Sequence, residues 1–158
     1  TAQIKSNAYS FGCCFAEVEV DIPMCQVKLL DIVNVHDVGT LINPALAEAQ
    51  VHGGMSMGIG FGLSEKLLFD PKSGRALNNN LLDYKLSTFM DHPRLRAYFV
   101  ENPEPTSAFG TKSLGEPPTC PVAPAIRNAV YQATGVAVND APVNPHILFK
   151  RFKEEGLF

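Results

Sequence analysis

The sequence has no run of basic residues, no apolar stretch of membrane-spanning length and no paired-cysteine motif. Without a basic run, and with a net charge of −3, nothing favours nucleic acid or an anionic membrane as a partner. A bilayer-spanning helix needs about 20 consecutive apolar residues, and the chain offers none. No signal-peptide pattern opens it, so a cytoplasmic location is the expectation. Cysteine is scarce, and Cys13, Cys14, Cys25 and Cys120 form no C-x-x-C pair. A disulfide scaffold does not fit this size and density, and reduced thiols are expected. His36, His52, His92 and His146 are scattered, with no i, i+4 pairing, so no protein-ligated metal site is expected. Internal repeats and low-complexity tracts are missing too. What is present is an ordinary globular balance, 46% hydrophobic and 18% charged over 158 residues, enough for one domain with a real core.

Residues 1–10 are polar and read as a connecting segment. In Phe11 to Ile22, Phe15, Glu17, Glu19 and Asp21 alternate with Ala16, Val18, Val20 and Ile22, the pattern of a strand with one buried face. Pro23 to Gln26 reads as a turn and Val27 to Val35 as a second strand, making a hairpin. Asn43-Pro44 is a helix start, with Asn43 as N-cap and Pro44 at the first helical position. The helix runs toward Ser64 and carries Gly53, Gly54, Gly58, Gly60 and Gly62. Each interior glycine costs about 1 kcal/mol against alanine. Such a cost points to a backbone packed tightly against the helix or to a ligand approaching it.

Short strands are expected at Leu67 to Phe69 and Arg75 to Leu77 around an Asp70–Gly74 loop, and another strand at Leu95 to Val100. Val122, Ile126, Ala129, Val130 and Ala133 fall at helical spacing and end at Gly135, and Asn144-Pro145 opens a last amphipathic helix. Strands and helices mix without strict alternation, so the fold class is α+β.

The run Phe109-Gly110-Thr111-Lys112-Ser113-Leu114-Gly115-Glu116-Pro117-Pro118 stands out. Gly115 permits close approach or positive φ. Pro117 biases Glu116 toward extended geometry, and neither proline offers an N–H. A carboxylate on so stiff a support is suited to act on something outside its own segment. Ahead of a helix it is equally suited to sit in water. The local residues leave both readings open.

Taken in order, several runs resemble one family, the molybdenum hydroxylases, which include xanthine dehydrogenases and aldehyde oxidases. They are Phe11-Gly12 with Phe15 to Asp21, His36 to Gly39 with Ile42-Asn43-Pro44, Ala49 to Gly54, Asp83-Tyr84-Lys85, and Phe109-Gly110 through Gly115 to Pro118. The resemblance is closest to the molybdenum subunit of bacterial xanthine dehydrogenases. It implies that residues 1–158 are the C-terminal part of a molybdopterin-binding domain, an α+β fragment of a longer subunit. The opening at Thr1 rather than Met fits an excised or processed piece.

The implied activity is oxidative hydroxylation of a purine such as xanthine or hypoxanthine. An aldehyde or another N-heterocycle is the alternative substrate, and a non-catalytic interaction domain the alternative class. Implied cofactors are molybdopterin with molybdenum, plus FAD and iron–sulphur clusters on other domains or subunits. Those domains, the rest of the molybdenum subunit and a small-molecule substrate are the implied partners. The resemblance implies that Glu116 is the catalytic base, beside the metal and not bound to it. It implies that Gln50 hydrogen-bonds an oxygen ligand of the metal, and that the Leu114 and Gly115 backbone lies against the pterin. Burial against a cofactor is expected to disfavour the ionised Glu116 while leaving it usable as a base. Ser113 stands where many relatives have glycine.

Overall fold

A computed structural model describes residues 8–158. Most of the polar segment expected at residues 1–10 lies outside the described residues. Strands β1 (Phe11–Asp21) and β2 (Gln26–Asp37) form the expected hairpin, antiparallel, with a register shift between Glu17 and Val18. Helix α1 (Pro44–Leu63) follows, then β3 (Leu95–Val100), α2 (Val122–Thr134) and α3 (Pro145–Glu154). β3 pairs with β2 in parallel, giving the sheet order β1-β2-β3. A parallel pair needs a crossover connection, which α1 and the irregular segment after it supply. The fold is α+β, as the mixture of patterns predicts. No helix among the described residues is long and apolar enough to cross a membrane.

Local chemistry sets the helix boundaries as the sequence leads one to expect. The Asn43 side chain accepts from the Leu46 N–H at α1, and the Asn144 side chain accepts from the Ile147 N–H at α3. Gly135, at φ 74°, ends α2. Two short strands expected at 67–69 and 75–77 do not form, and only an isolated bridge joins Phe69 to Ala76. Asn78 takes over part of the pairing, accepting from the Leu68 N–H and donating to the Lys66 carbonyl. Leu67, Leu68, Phe69 and Leu77 stay exposed, because no second layer covers them.

Two apolar clusters hold the chain together. Ile32 and Leu29 of β2 meet Val51, Met55 and Ile59 of α1 and Val122 and Ile126 of α2. Val130, Val136, Val138, Val143, Leu148 and Phe152 pack with Cys25 at the hairpin tip. The glycines of α1 explain how α2 comes so close. A Cβ at Gly54 would lie 2.6 Å from the Pro118 Cβ, and one at Gly58 would lie 2.5 Å from the Val122 Cβ. Tight packing thus accounts for Gly54 and Gly58, whereas a Cβ at Gly53 would meet open space. The result is that α1, the start of α2 and the loop between them share one surface.

Candidate functional site

The Glu116 loop leaves the body at Gly110 and returns at Val122, and its root is fastened by backbone. The Lys112 N–H donates to the Val38 carbonyl and the Thr40 N–H to the Gly110 carbonyl, both at 2.9 Å. Gly39 makes this approach possible. It has φ 67°, and a Cβ there would lie 2.2 Å from the Gly110 oxygen. Beside it, Lys112 Nζ donates to Asp37 Oδ2 at 2.6 Å, with side chains only 5% and 12% exposed. Burial alone would raise the Asp37 carboxyl. Hydrogen bonds from Lys112, the Gly39 N–H and Asn102, with the Lys112 charge, outweigh burial and hold it below the usual range. Lys112 therefore belongs to the loop's foundation and is not a solvated cation.

Beyond that root, side chains catch the loop through its carbonyl groups. Ser10 Oγ donates to the Ser113 carbonyl at 2.7 Å, Gln50 Nε2 to the Gly115 carbonyl at 2.8 Å, and Asn34 Nδ2 to the Pro118 carbonyl at 2.9 Å. The Thr119 N–H donates back to the Glu116 carbonyl at 3.0 Å, closing a turn whose first residue is Glu116. Half-buried Leu114 packs against the α1–α2 cluster and anchors the loop from below.

Gln50, Leu114, Gly115 and Glu116 thus meet in one place, although Gln50 precedes Gly115 by 65 positions. Gln50 is not simply turned to a ligand; one of its N–H groups already holds the Gly115 carbonyl. Within the described residues Glu116 is exposed. It does not occupy the first turn of α2, which contains no acidic residue. Gly115 has no positive φ, and a Cβ there would meet nothing within 4 Å.

A cleft of about 500 Å³ opens beside Glu116, lined also by Ser10, Gly12, Ser113, Pro117, Cys120 and Pro121. The N–H groups of Ser113, Leu114, Gly115 and Glu116 have no acceptor among the described residues. Four successive free donors next to a carboxylate suit a ligand rich in hydrogen-bond acceptors or anionic groups. Sequence reasoning missed Ser10 and Asn34. Ser10 gives no signal, because a serine ahead of a strand is unremarkable. Asn34 does give one, an amide two positions from Ile32 on the phase that the strand's alternation buries.

Residues 1–93 match the family described as a molybdopterin cofactor-binding domain. Over 152 residues, 96% of the chain, the sequence is 55% identical to the putative xanthine dehydrogenase molybdenum-binding subunit XdhA of Escherichia coli (strain K12), covering 20% of that protein. It is 35% identical over 130 residues, 82% of the chain, to the aldehyde oxidoreductase molybdenum-binding subunit PaoC of the same organism, covering 18% of it. The chain therefore spans about a fifth of the length of these curated relatives. Among solved structures, aldehyde oxidoreductase from Desulfovibrio gigas superposes with a TM-score of 0.82 at 29% identity, over 91% of this chain and 15% of that one. Quinoline 2-oxidoreductase from Pseudomonas putida 86 gives a TM-score of 0.80 at 31% identity, over 87% of this chain and 18% of that one.

Proposed function

The chain belongs to the molybdopterin cofactor-binding domain family, and from that premise we propose that residues 1–158 form the C-terminal part of the molybdenum-binding subunit of a purine hydroxylase. The observation that carries the reading is the hydrogen bond from Gln50 to the Gly115 carbonyl. It joins α1 to the Glu116 loop and brings an amide to the stretch that carries the carboxylate and four N–H groups with no acceptor among the described residues. That donor set fits the group. A pterin with its phosphate presents many acceptors, and the Ser113 to Glu116 amides would hold them. Gly115 places no side chain beside Glu116, and a Cβ there would meet open space.

When bound, the molybdenum–pterin group supplies the two-electron oxidation of the substrate. Hydroxylation of a C–H with water as the oxygen source also releases two protons. Glu116 accepts one of them at its carboxylate, as a general base. Gln50 keeps its second N–H and its Oε1 for the cofactor. Leu114 and Gly115 contribute backbone, with the Leu114 side chain buried below. Glu116 is exposed in this chain, so the water exclusion that strengthens such a site comes from the cofactor and from the remainder of the subunit. That remainder also covers the exposed Phe11, Phe15, Leu81, Leu82, Phe89 and Met90. FAD and iron–sulphur clusters on other domains or subunits carry the electrons away, and the assembly is cytoplasmic.

Identity of 55% to a xanthine dehydrogenase subunit, against 35% to an aldehyde oxidoreductase subunit, favours a purine over an aldehyde. The test is a substrate panel on the full enzyme, comparing xanthine and hypoxanthine with aromatic aldehydes by kcat/KM. Higher values for the aldehydes reverse the substrate assignment. Gln50→Ala in the same enzyme is expected to lower turnover about ten- to a hundredfold without unfolding the subunit, since a hydrogen bond to a charged group is worth about 1.5–3 kcal/mol. Unchanged rate and metal content would make Gln50 a surface amide.

A further inference from the structure

Asn34 is fully buried on β2, between Ile32 and His36 on the face turned toward α1. An amide in such a layer is costly unless partnered. Its single partner among the described residues is the Pro118 carbonyl, 84 positions away, and its Oδ1 has none. The location of that partner is informative. Pro117 and Pro118 have no N–H, so the segment just after Glu116 can be tied to the body only through carbonyl groups. Of the side-chain ties that α1, β2 and Ser10 make to residues 113–118, those from Ser10 and Gln50 are solvent-exposed and the one from Asn34 is buried. A buried hydrogen bond is electrostatically stronger, and losing its donor strands an acceptor away from water. On the other side, the bare face of Gly54 lies against the Pro118 ring and blocks movement toward α1. Pro118 lies inside the turn closed by the Thr119 N–H on the Glu116 carbonyl. Fixing the Pro118 carbonyl therefore fixes the turn.

We propose that Asn34 is a positioning residue for Glu116, holding the Pro118 carbonyl and thereby setting the direction of the carboxylate. This rests on the assignment of Glu116 as the base. Asn34 touches neither substrate nor cofactor and acts only through Pro118.

The experiment compares Asn34→Ala in the full-length subunit with Ile32→Val and Ile32→Ala. Ile32 is equally buried, two positions away on the same face, and makes no contact with the loop by hydrogen bond. The Ile32 variants bracket the stability loss, so a purely structural effect is read at matched melting temperature. In the metal-free subunit, deuterium uptake at the Thr119 amide, whose N–H closes the turn, is expected to accelerate about fivefold or more in Asn34→Ala, and to stay within about twofold in the matched Ile32 variant. In the loaded enzyme kcat is expected to fall about tenfold or more with KM within about threefold, since a small misplacement of a reacting group can cost about a hundredfold. Uptake equal to that of the matched variant overturns the proposal.

Should Asn34→Ala not fold, Asn34→Asp keeps the shape. Its protonated acid donates to the Pro118 carbonyl and its ionised form repels it. The uptake ratio to wild type must then rise with pH, and a flat ratio overturns the proposal. Glu116→Gln serves as the separate arm. Full turnover there removes the base assignment, while the uptake result still decides whether Asn34 holds the turn.

Discussion

Replacing Gly53 and Gly54 by alanine, one at a time, should change stability in opposite directions. The two are neighbours in α1, and each gains about 1 kcal/mol of helical preference from a methyl group. At Gly53 the new Cβ meets nothing within 4 Å, so the gain is kept. At Gly54 the Cβ would sit 2.6 Å from the Pro118 Cβ and 3.1 Å from its carbonyl carbon. Backbone cannot step aside as a flexible side chain would, and overpacking of this kind costs about 1–3 kcal/mol, here toward the upper end. The net result is a loss of about 1–2 kcal/mol for Gly54→Ala and a gain of about 1 kcal/mol for Gly53→Ala.

For a chain of this size each kcal/mol moves the melting temperature by about 2–4 °C, well within calorimetric precision. The assay is thermal unfolding of the 158-residue chain, wild type against each variant. Shifts of the same sign for both variants would refute the packing account of the α1 glycines.

Lys112→Met leaves the Asp37 carboxylate with only the Gly39 N–H and Asn102. The expected cost is about 1–3 kcal/mol, below that of a fully buried pair broken at one partner. Asp37→Asn with Lys112→Met should recover most of it in urea midpoint, and no recovery would mean the pair is not coupled. A second expectation concerns pH. Burial lowers the His36 pKa and both ring nitrogens lack partners among the described residues, so the unfolded chain takes up a proton first as pH falls. Stability should therefore decline as pH drops below about 6.5, the ordinary histidine value, and be insensitive to this residue above it. His36→Phe should flatten the acid side in part. His92, also lowered by burial, keeps the remainder of the slope. An unchanged slope in the variant contradicts this.

The hairpin, the three helices and β3 were legible because each rests on local chemistry. Alternation in β1, asparagine caps with proline behind them, and a terminal glycine all act within a few residues. The strands at 67–69 and 75–77 were misread because β-branched or apolar runs flanking a turn predict pairing only when a layer exists to bury them. Asn78 satisfies part of the backbone there instead. The site was legible in part. Glu116 between glycine and two prolines is conspicuous, and Gln50 was found through the runs around it. That the Gln50 amide points at the Gly115 carbonyl, and that Lys112 is neutralised by Asp37, are tertiary facts with no local signature. The exposure of Glu116 within this chain is likewise a tertiary fact with no local signature.

Reduction of the molybdenum centre by substrate in a single turnover, wild type against Glu116→Gln at equal metal loading, tests the central claim most directly. Glutamine keeps the shape of the side chain and cannot accept the proton. A positioned base contributes about 10²–10⁴-fold, and the account predicts a loss of at least that order with substrate affinity little changed. Reduction within a few-fold of the wild-type rate would contradict it.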